Sequence, residues 1–162
     1  MAIHKLHIDD FEEADYELIA IHTLLEDYRL AYLINQKLPI VLSRCNNDIH
    51  ISITEGDSHF SRFIFDDQKK DISWNLFQNK NTVILNQKAA SQNLFEESAF
   101  EFSKKVYLLP EFKKVDYFLK IENTDNNFDT NKIVTIINSI DRISTVYTVD
   151  ADQIKSKNNL IF

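Results

Sequence analysis

An α+β fold, with a largely antiparallel sheet and two helices on one face, is predicted by three features of the sequence. Leu18-Ile19-Ala20-Ile21 is an uninterrupted apolar run ahead of a helical pattern, a second strand-then-helix pattern occupies 115–149, and short aromatic-rich extended runs lie between them. The arrangement is two β-α-β units, at 16–44 and 115–149, flanking a β-meander, as in ferredoxin-like folds.

The elements follow in order. Residues 16–21 read as a strand covered on both faces. Thr23-Leu24-Leu25-Glu26 fits a capping box, which starts a helix at Leu24. Leu24, Tyr28, Ala31 and Leu38, with Leu25 and Tyr32 beside them, form its expected buried stripe, and Pro39 stops it. Residues 40–44 and 49–54 read as extended. Glu55-Gly56-Asp57-Ser58 is a turn using the single glycine, and 59–65 returns as a strand. After a polar connection at 66–71, residues 72–77 complete an antiparallel meander. A short strand is expected over 82–86, while 88–102 fit either state, since Phe95, Ala99 and Phe102 keep helical spacing in an aromatic-rich run.

Val115, Tyr117, Leu119 and Ile121 alternate with Asp116, Phe118, Lys120 and Glu122, a period-2 strand with one mainly apolar face. A polar loop spans 123–127. Ile133, Ile136, Ile137 and Ile140 then sit at i, i+3, i+4 and i+7, with Asp129 or Thr130 as the cap. A closing strand covers 143–149. Residues 1–154 are expected to form one domain and 155–162 a polar tail that frays.

Composition excludes several functions. One glycine in 162 residues removes the P-loop, the dinucleotide fingerprint and the kinase glycine loop, which need several to admit phosphate. A formal charge of −7 disfavours direct nucleic-acid binding and anionic membranes. Cys45 is the only cysteine, so an internal disulfide is excluded and a reducing compartment is allowed. Neither an apolar leader core at the N-terminus nor an 18-residue apolar stretch is present, so a cytoplasmic location without membrane contact is expected.

Leu109-Pro110-Glu111-Phe112-Lys113-Lys114-Val115-Asp116-Tyr117 resembles the signature of the IPExxxVDY family, small bacterial proteins without an assigned activity. Leu109 stands where the signature has Ile, which preserves an apolar side chain. The resemblance implies a family, and no reaction.

Glu111 and Asp116 are the carboxylate pair best suited to acid/base work or a metal, if the chain bends after Pro110 to bring them together. The simpler reading is that they bind backbone amides or a base such as Arg29 or Arg44 and fix the entry of the next strand. Leu109, Pro110, Val115 and Tyr117 complete the motif as structural or interaction residues. His4, His7, His22, His50 and His59 lack zinc-type spacing, so no metal is expected. Asp57-Ser58-His59 has the residue types of a hydrolase triad, but adjacent turn residues cannot align one. Phe60, Phe63, Phe65, Trp74 and Phe77 lack the glycines and basic residues of an RNA-stacking sheet and read as core or protein interface.

These features favour a non-catalytic cytoplasmic adaptor or assembly protein with a protein partner, no cofactor and no catalytic residue. The alternative is an ACT-like domain sensing a small molecule, a module whose two β-α-β units pair across a homodimer; an enzyme using Glu111 and Asp116 ranks third.

Overall fold

The computed structural model describes residues 16–53, 56–87 and 100–162. In chain order, β1 (Tyr16–Thr23) leads through α1 (Asp27–Lys37) to a two-residue strand, β2 (Ser43–Arg44). Six strands follow: β3 (Ile49–Ile53), β4 (Gly56–Phe60), β5 (Arg62–Asp67), β6 (Ile72–Gln78), β7 (Lys80–Gln87) and β8 (Phe100–Tyr107). The chain ends with β9 (Tyr117–Glu122), α2 (Thr130–Asn138), β10 (Ile143–Val149) and two short 3-10 turns, Ala151–Gln153 and Lys157–Leu160.

The fold is mixed α+β, with two helices among the described residues. Its main sheet has six strands in the order β10-β1-β9-β6-β5-β2, each antiparallel to its neighbour. β9 and β10 therefore run parallel with β1 inserted between them. β1 and β2, expected as one close β-α-β unit, are separated by three strands. The expected meander is also divided: only β5 and β6 join the main sheet, while β3–β4 and β7–β8 pair as two-stranded sheets of their own.

The division occurs at two corners. Residues 59–65 were expected as one strand, but Ser61 interrupts it: the Gln78 amide donates to the Ser61 carbonyl at 3.1 Å. Phe60 and Phe63 then enter different cores. Asn79 makes the matching break between β6 and β7. Gly56 lies within β4 opposite Ile53, at φ +139°; the rest of the expected turn, 54–55, and residues 88–99 lie outside the described residues. Residues 100–102 are in β8.

Strand alternation sorts the apolar residues into two cores. Ile19, Ile21, Trp74, Leu76, Leu119 and Ile121 share one core with Leu30, Ala31 and Ile34 of α1 and Ile137 of α2, so both helices cover this face. Leu18, Ala20, Phe77 and Phe118 face the other way, against Ile49, Phe60, Leu108, Leu109, Ile154 and Leu160. Coverage on both sides explains why five successive residues of β9 are buried, Lys120 included, where one apolar face was expected.

α1 begins later than its sequence suggests. Thr23 closes β1; its hydroxyl donates to the Arg142 carbonyl at 2.8 Å and accepts from the Leu25 amide at 3.1 Å, so it is not a helix cap. Glu26 precedes the first helical residue and makes no side-chain cap bond. The buried stripe is accordingly Leu30, Ala31, Ile34 and Leu38, whereas Leu24, Tyr28 and Tyr32 face solvent. The helix still ends at Lys37, because Leu38 before Pro39 is extended at φ −112°, ψ 149°. In α2 the Asp129 carboxylate caps the first turn as expected, accepting from the Lys132 amide at 3.0 Å.

Within 155–162, where a fraying tail is expected, Leu160 is buried in the second core while most of its neighbours are exposed. Burial of Ile154 and Leu160 and the hydrogen bonds given below supply the anchoring that a polar segment alone lacks.

Candidate functional site

Pro110 opens a 3-10 turn over Pro110–Phe112, where its missing N–H leaves no donor unpaired. Leu109 and Val115, on either side of this turn, are buried in the second core, and Tyr117 enters the helix-side core. The turn is closed from outside by Asn79, which is fully buried. Its Nδ2 donates to the carbonyls of Phe112 at 2.8 Å and Val115 at 3.0 Å, and its Oδ1 accepts the Leu109 amide at 2.8 Å. Its backbone adds two bonds, donating to Asp116 O and accepting from the Leu108 amide, both at 2.9 Å.

The two motif carboxylates have different partners. Asp116 Oδ2 accepts the Thr23 amide at 3.0 Å, and Oδ1 accepts the Lys80 ammonium at 2.6 Å; Arg29 and Arg44 play no part. Glu111 Oε1 accepts the amides of Lys155 at 2.7 Å and Ser156 at 2.8 Å, while Oε2 accepts the Ser156 hydroxyl at 3.0 Å. Burial acts to raise the Glu111 carboxyl, but the hydrogen bonds from Ser156, from its own amide and from Lys155 outweigh it, so the group lies below its ordinary value. The Tyr117 phenol donates to the Leu25 carbonyl at 2.8 Å, and burial pushes it up to about 12. The motif thus ties together the end of β1, the β6–β7 corner and the C-terminal tail.

A second polar cluster lies on the face opposite the helices. Arg62 donates to Asn75 Oδ1 at 3.0 and 2.6 Å, Asn75 donates to Glu122 at 3.1 Å, and Lys120 donates to Glu122 at 2.6 Å and to the Leu160 carbonyl at 2.9 Å. The Phe162 ring lies against both cations, 4.4 Å from the Arg62 guanidinium carbon and 5.2 Å from the Lys120 ammonium. Arg62, Asn75, Glu122 and Lys120 are all partnered within this cluster, which holds Leu160 and Phe162 of the tail.

The start of α1 presents large apolar side chains to solvent. Leu24, in the turn ahead of it, is fully exposed, and Tyr28 and Tyr32, one turn apart, are 59% and 61% exposed. Both phenols are held by neighbours: Tyr28 donates to Glu26 at 2.5 Å, and Tyr32 accepts from Gln36 at 2.7 Å. The bond to the Glu26 carboxylate is also the leading reason that the Tyr28 phenol is raised.

The other candidates disperse or stay structural. His50 and His59 face each other across β3–β4, their ring centroids 4.8 Å apart, and His22 stacks on Tyr147. Among the described residues, no three His, Cys, Asp or Glu side chains gather as metal ligands do. Ser58 is buried, and Asp57 accepts from Ser52, so Asp57-Ser58-His59 forms no relay. Phe60 and Phe77 lie in one core and Phe63 and Trp74 in the other. His4 and His7 lie outside the described residues. Sequence reading missed Asn79, for which a lone Asn between two strand patterns is the only local signal. It also missed the outward face of α1, whose four-residue spacing was visible but was assigned to the core.

No described helix is long and apolar enough to cross a membrane. No family model matches the chain, no curated protein matches it, and no solved structure matches it.

Proposed function

We propose that this is a non-catalytic cytoplasmic interaction protein, of the IPExxxVDY type, which presents the exposed start of α1 to another protein. The observation that carries this reading is the outward cluster of Leu24, Tyr28 and Tyr32. Large apolar side chains grouped at a surface mark contact sites, and tyrosines already held by hydrogen bonds lose little freedom when a partner covers them. Glu26 and Asp27 outnumber the one cation beside Tyr28, Arg29, and the chain carries −7, so the fitting partner has an apolar patch edged mainly with basic residues. The non-catalytic part is supported by the motif carboxylates, whose hydrogen bonds go to separate structural partners.

The test is quantitative affinity purification with the full chain and a Leu24→Asp/Tyr32→Asp variant at matched expression. A protein retained stoichiometrically by the parent and lost by the variant, with the melting temperature unchanged, is the expected result. Equal recovery by both, or self-association alone in sedimentation, overturns the assignment.

A further inference from the structure

At the opposite end of α1, a cleft of about 530 Å³ opens between the helix C-terminus, the β5–β6 turn and the connection into α2. That size falls within the range of small-molecule sites. Its floor is apolar: Trp74 and Ile72 of β6, Leu38, Ile133, and Phe128, whose ring meets Trp74 edge-on with centroids 5.8 Å apart. Trp74, Ile72 and Leu38 are buried, whereas Phe128 and Ile133 are only half-buried, so the floor retains open apolar surface.

The rim carries charges of both signs, Asp67, Asp125 and Asp129 with Lys70 and Lys132. Each aspartate is oriented by its own backbone through Oδ1. Asp67 accepts the Lys69 amide, Asp125 the Asn127 amide and Asp129 the Lys132 amide, at 3.0 to 3.1 Å. Among the described residues, the second oxygen of each makes no hydrogen bond, and neither lysine ammonium pairs with a carboxylate. Lys132 also lies in the first turn of α2, where a cation opposes the helix dipole and an anion is welcome.

We propose that this cleft binds a small zwitterion with an apolar side chain, the class of the apolar α-amino acids. Lys70 and Lys132 take its carboxylate, the aspartates take its ammonium, and its side chain covers Phe128. A simple cation leaves both lysines unpaired, and a phosphate meets three carboxylates, so neither complements the rim. The proposal uses none of the residues assigned to partner contact.

The test is thermal unfolding and calorimetric titration of the full chain with L-phenylalanine and L-leucine at millimolar concentration. Glycine, 2-phenylethylamine and 3-phenylpropionate serve as controls lacking the side chain, the carboxylate and the ammonium. One of the two amino acids should raise the melting temperature by about 2 °C or more above every control. Lys132→Gln, on the surface, should leave the free protein's melting temperature unchanged or slightly raised and weaken binding about tenfold. Phe128→Ala should weaken it too, and the Lys132 variant decides the matter if that one unfolds. The proposal fails if no amino acid exceeds the controls, if phenylethylamine binds as well, or if Lys132→Gln binds like the parent. It also fails if sedimentation reveals a dimer that Phe128→Asp dissociates, which would make the cleft a contact between copies.

Discussion

Asn79 Oδ1 accepts the Leu109 amide at 2.8 Å while the Asn79 carbonyl accepts the Leu108 amide at 2.9 Å, so one residue closes two successive donors ahead of Pro110. Asn79→Ala would leave the Leu109 N–H and the Val115 carbonyl without a partner, while the Phe112 carbonyl keeps the Val115 amide at 3.0 Å. With about 1 to 3 kcal/mol for each buried group left unpaired, the expected loss is about 2 kcal/mol or more. Urea denaturation measures it, and a loss below about 1 kcal/mol would mean that water or a shifted backbone replaces Asn79.

Tyr117→Phe removes one buried hydrogen bond, to Leu25 O, and should cost about 1 kcal/mol at neutral pH. Its alkaline behaviour is the sharper measurement. The unfolded phenol ionises near pH 10, the folded one at about 12. Stability from this group is therefore present below pH 10 and lost as pH rises toward 12. The advantage of the parent over Tyr117→Phe should shrink across that window; a constant gap would show that the phenol is not buried in solution.

Glu111→Gln keeps the size of the side chain and removes the charge that binds the amides of Lys155 and Ser156. A cost of about 1 to 3 kcal/mol is expected at pH 7. Because the folded Glu111 is held below its ordinary value, its contribution is present above that value and lost as pH falls through the folded one. The gap between parent and variant should therefore close in acid, below about pH 4. If hydrogen exchange at Lys155 and Ser156 is the same in both proteins at pH 7, the proposed anchoring of the tail is wrong.

Leu160→Ala should cost about 2 to 5 kcal/mol, the range for a leucine truncated in a packed core. Leu160 is 2% exposed. A fraying tail would give nearly no change on thermal unfolding.

Thr23→Ala should cost about 1 kcal/mol, from the lost bonds to Arg142 and Leu25. NMR chemical shifts should report an unaltered helix over 27–37. A helix shortened at its start would restore Thr23 as a cap.

How legible each element was depends on how local its cause is. The strands at Leu18 to Ile21 and Ile143 to Val149, and the α2 cap at Asp129, rest on neighbouring residues and appear where expected. α1 shows the limit: Thr23 and Glu26 satisfy the capping pattern, yet the hydroxyl is taken by Arg142, far along the chain. Leu24, Tyr28 and Tyr32 have the same spacing whether a helix turns them in or out. Lys120 has the position of a solvent-side residue in an alternating strand; the covered second face buries it, and its bonds to Glu122 and the Leu160 carbonyl make that burial tolerable. The motif was legible as a unit, but its fastening to Asn79 was not, because a single Asn carries no spacing to read.

The placement of β1 has a consequence for how the chain acquires its shape. Ile19 lies opposite Leu119 on one side and Thr148 on the other, so both neighbours of β1 are synthesised long after it. On the ribosome, Leu18-Ile19-Ala20-Ile21 emerges about a hundred residues ahead of β9 with neither edge satisfied, and the central sheet closes only once β9 and β10 are available. Such remote pairing slows folding and lengthens the exposure of a sticky segment. Refolding should thus be slow for a chain of this size, and yield should fall as concentration rises.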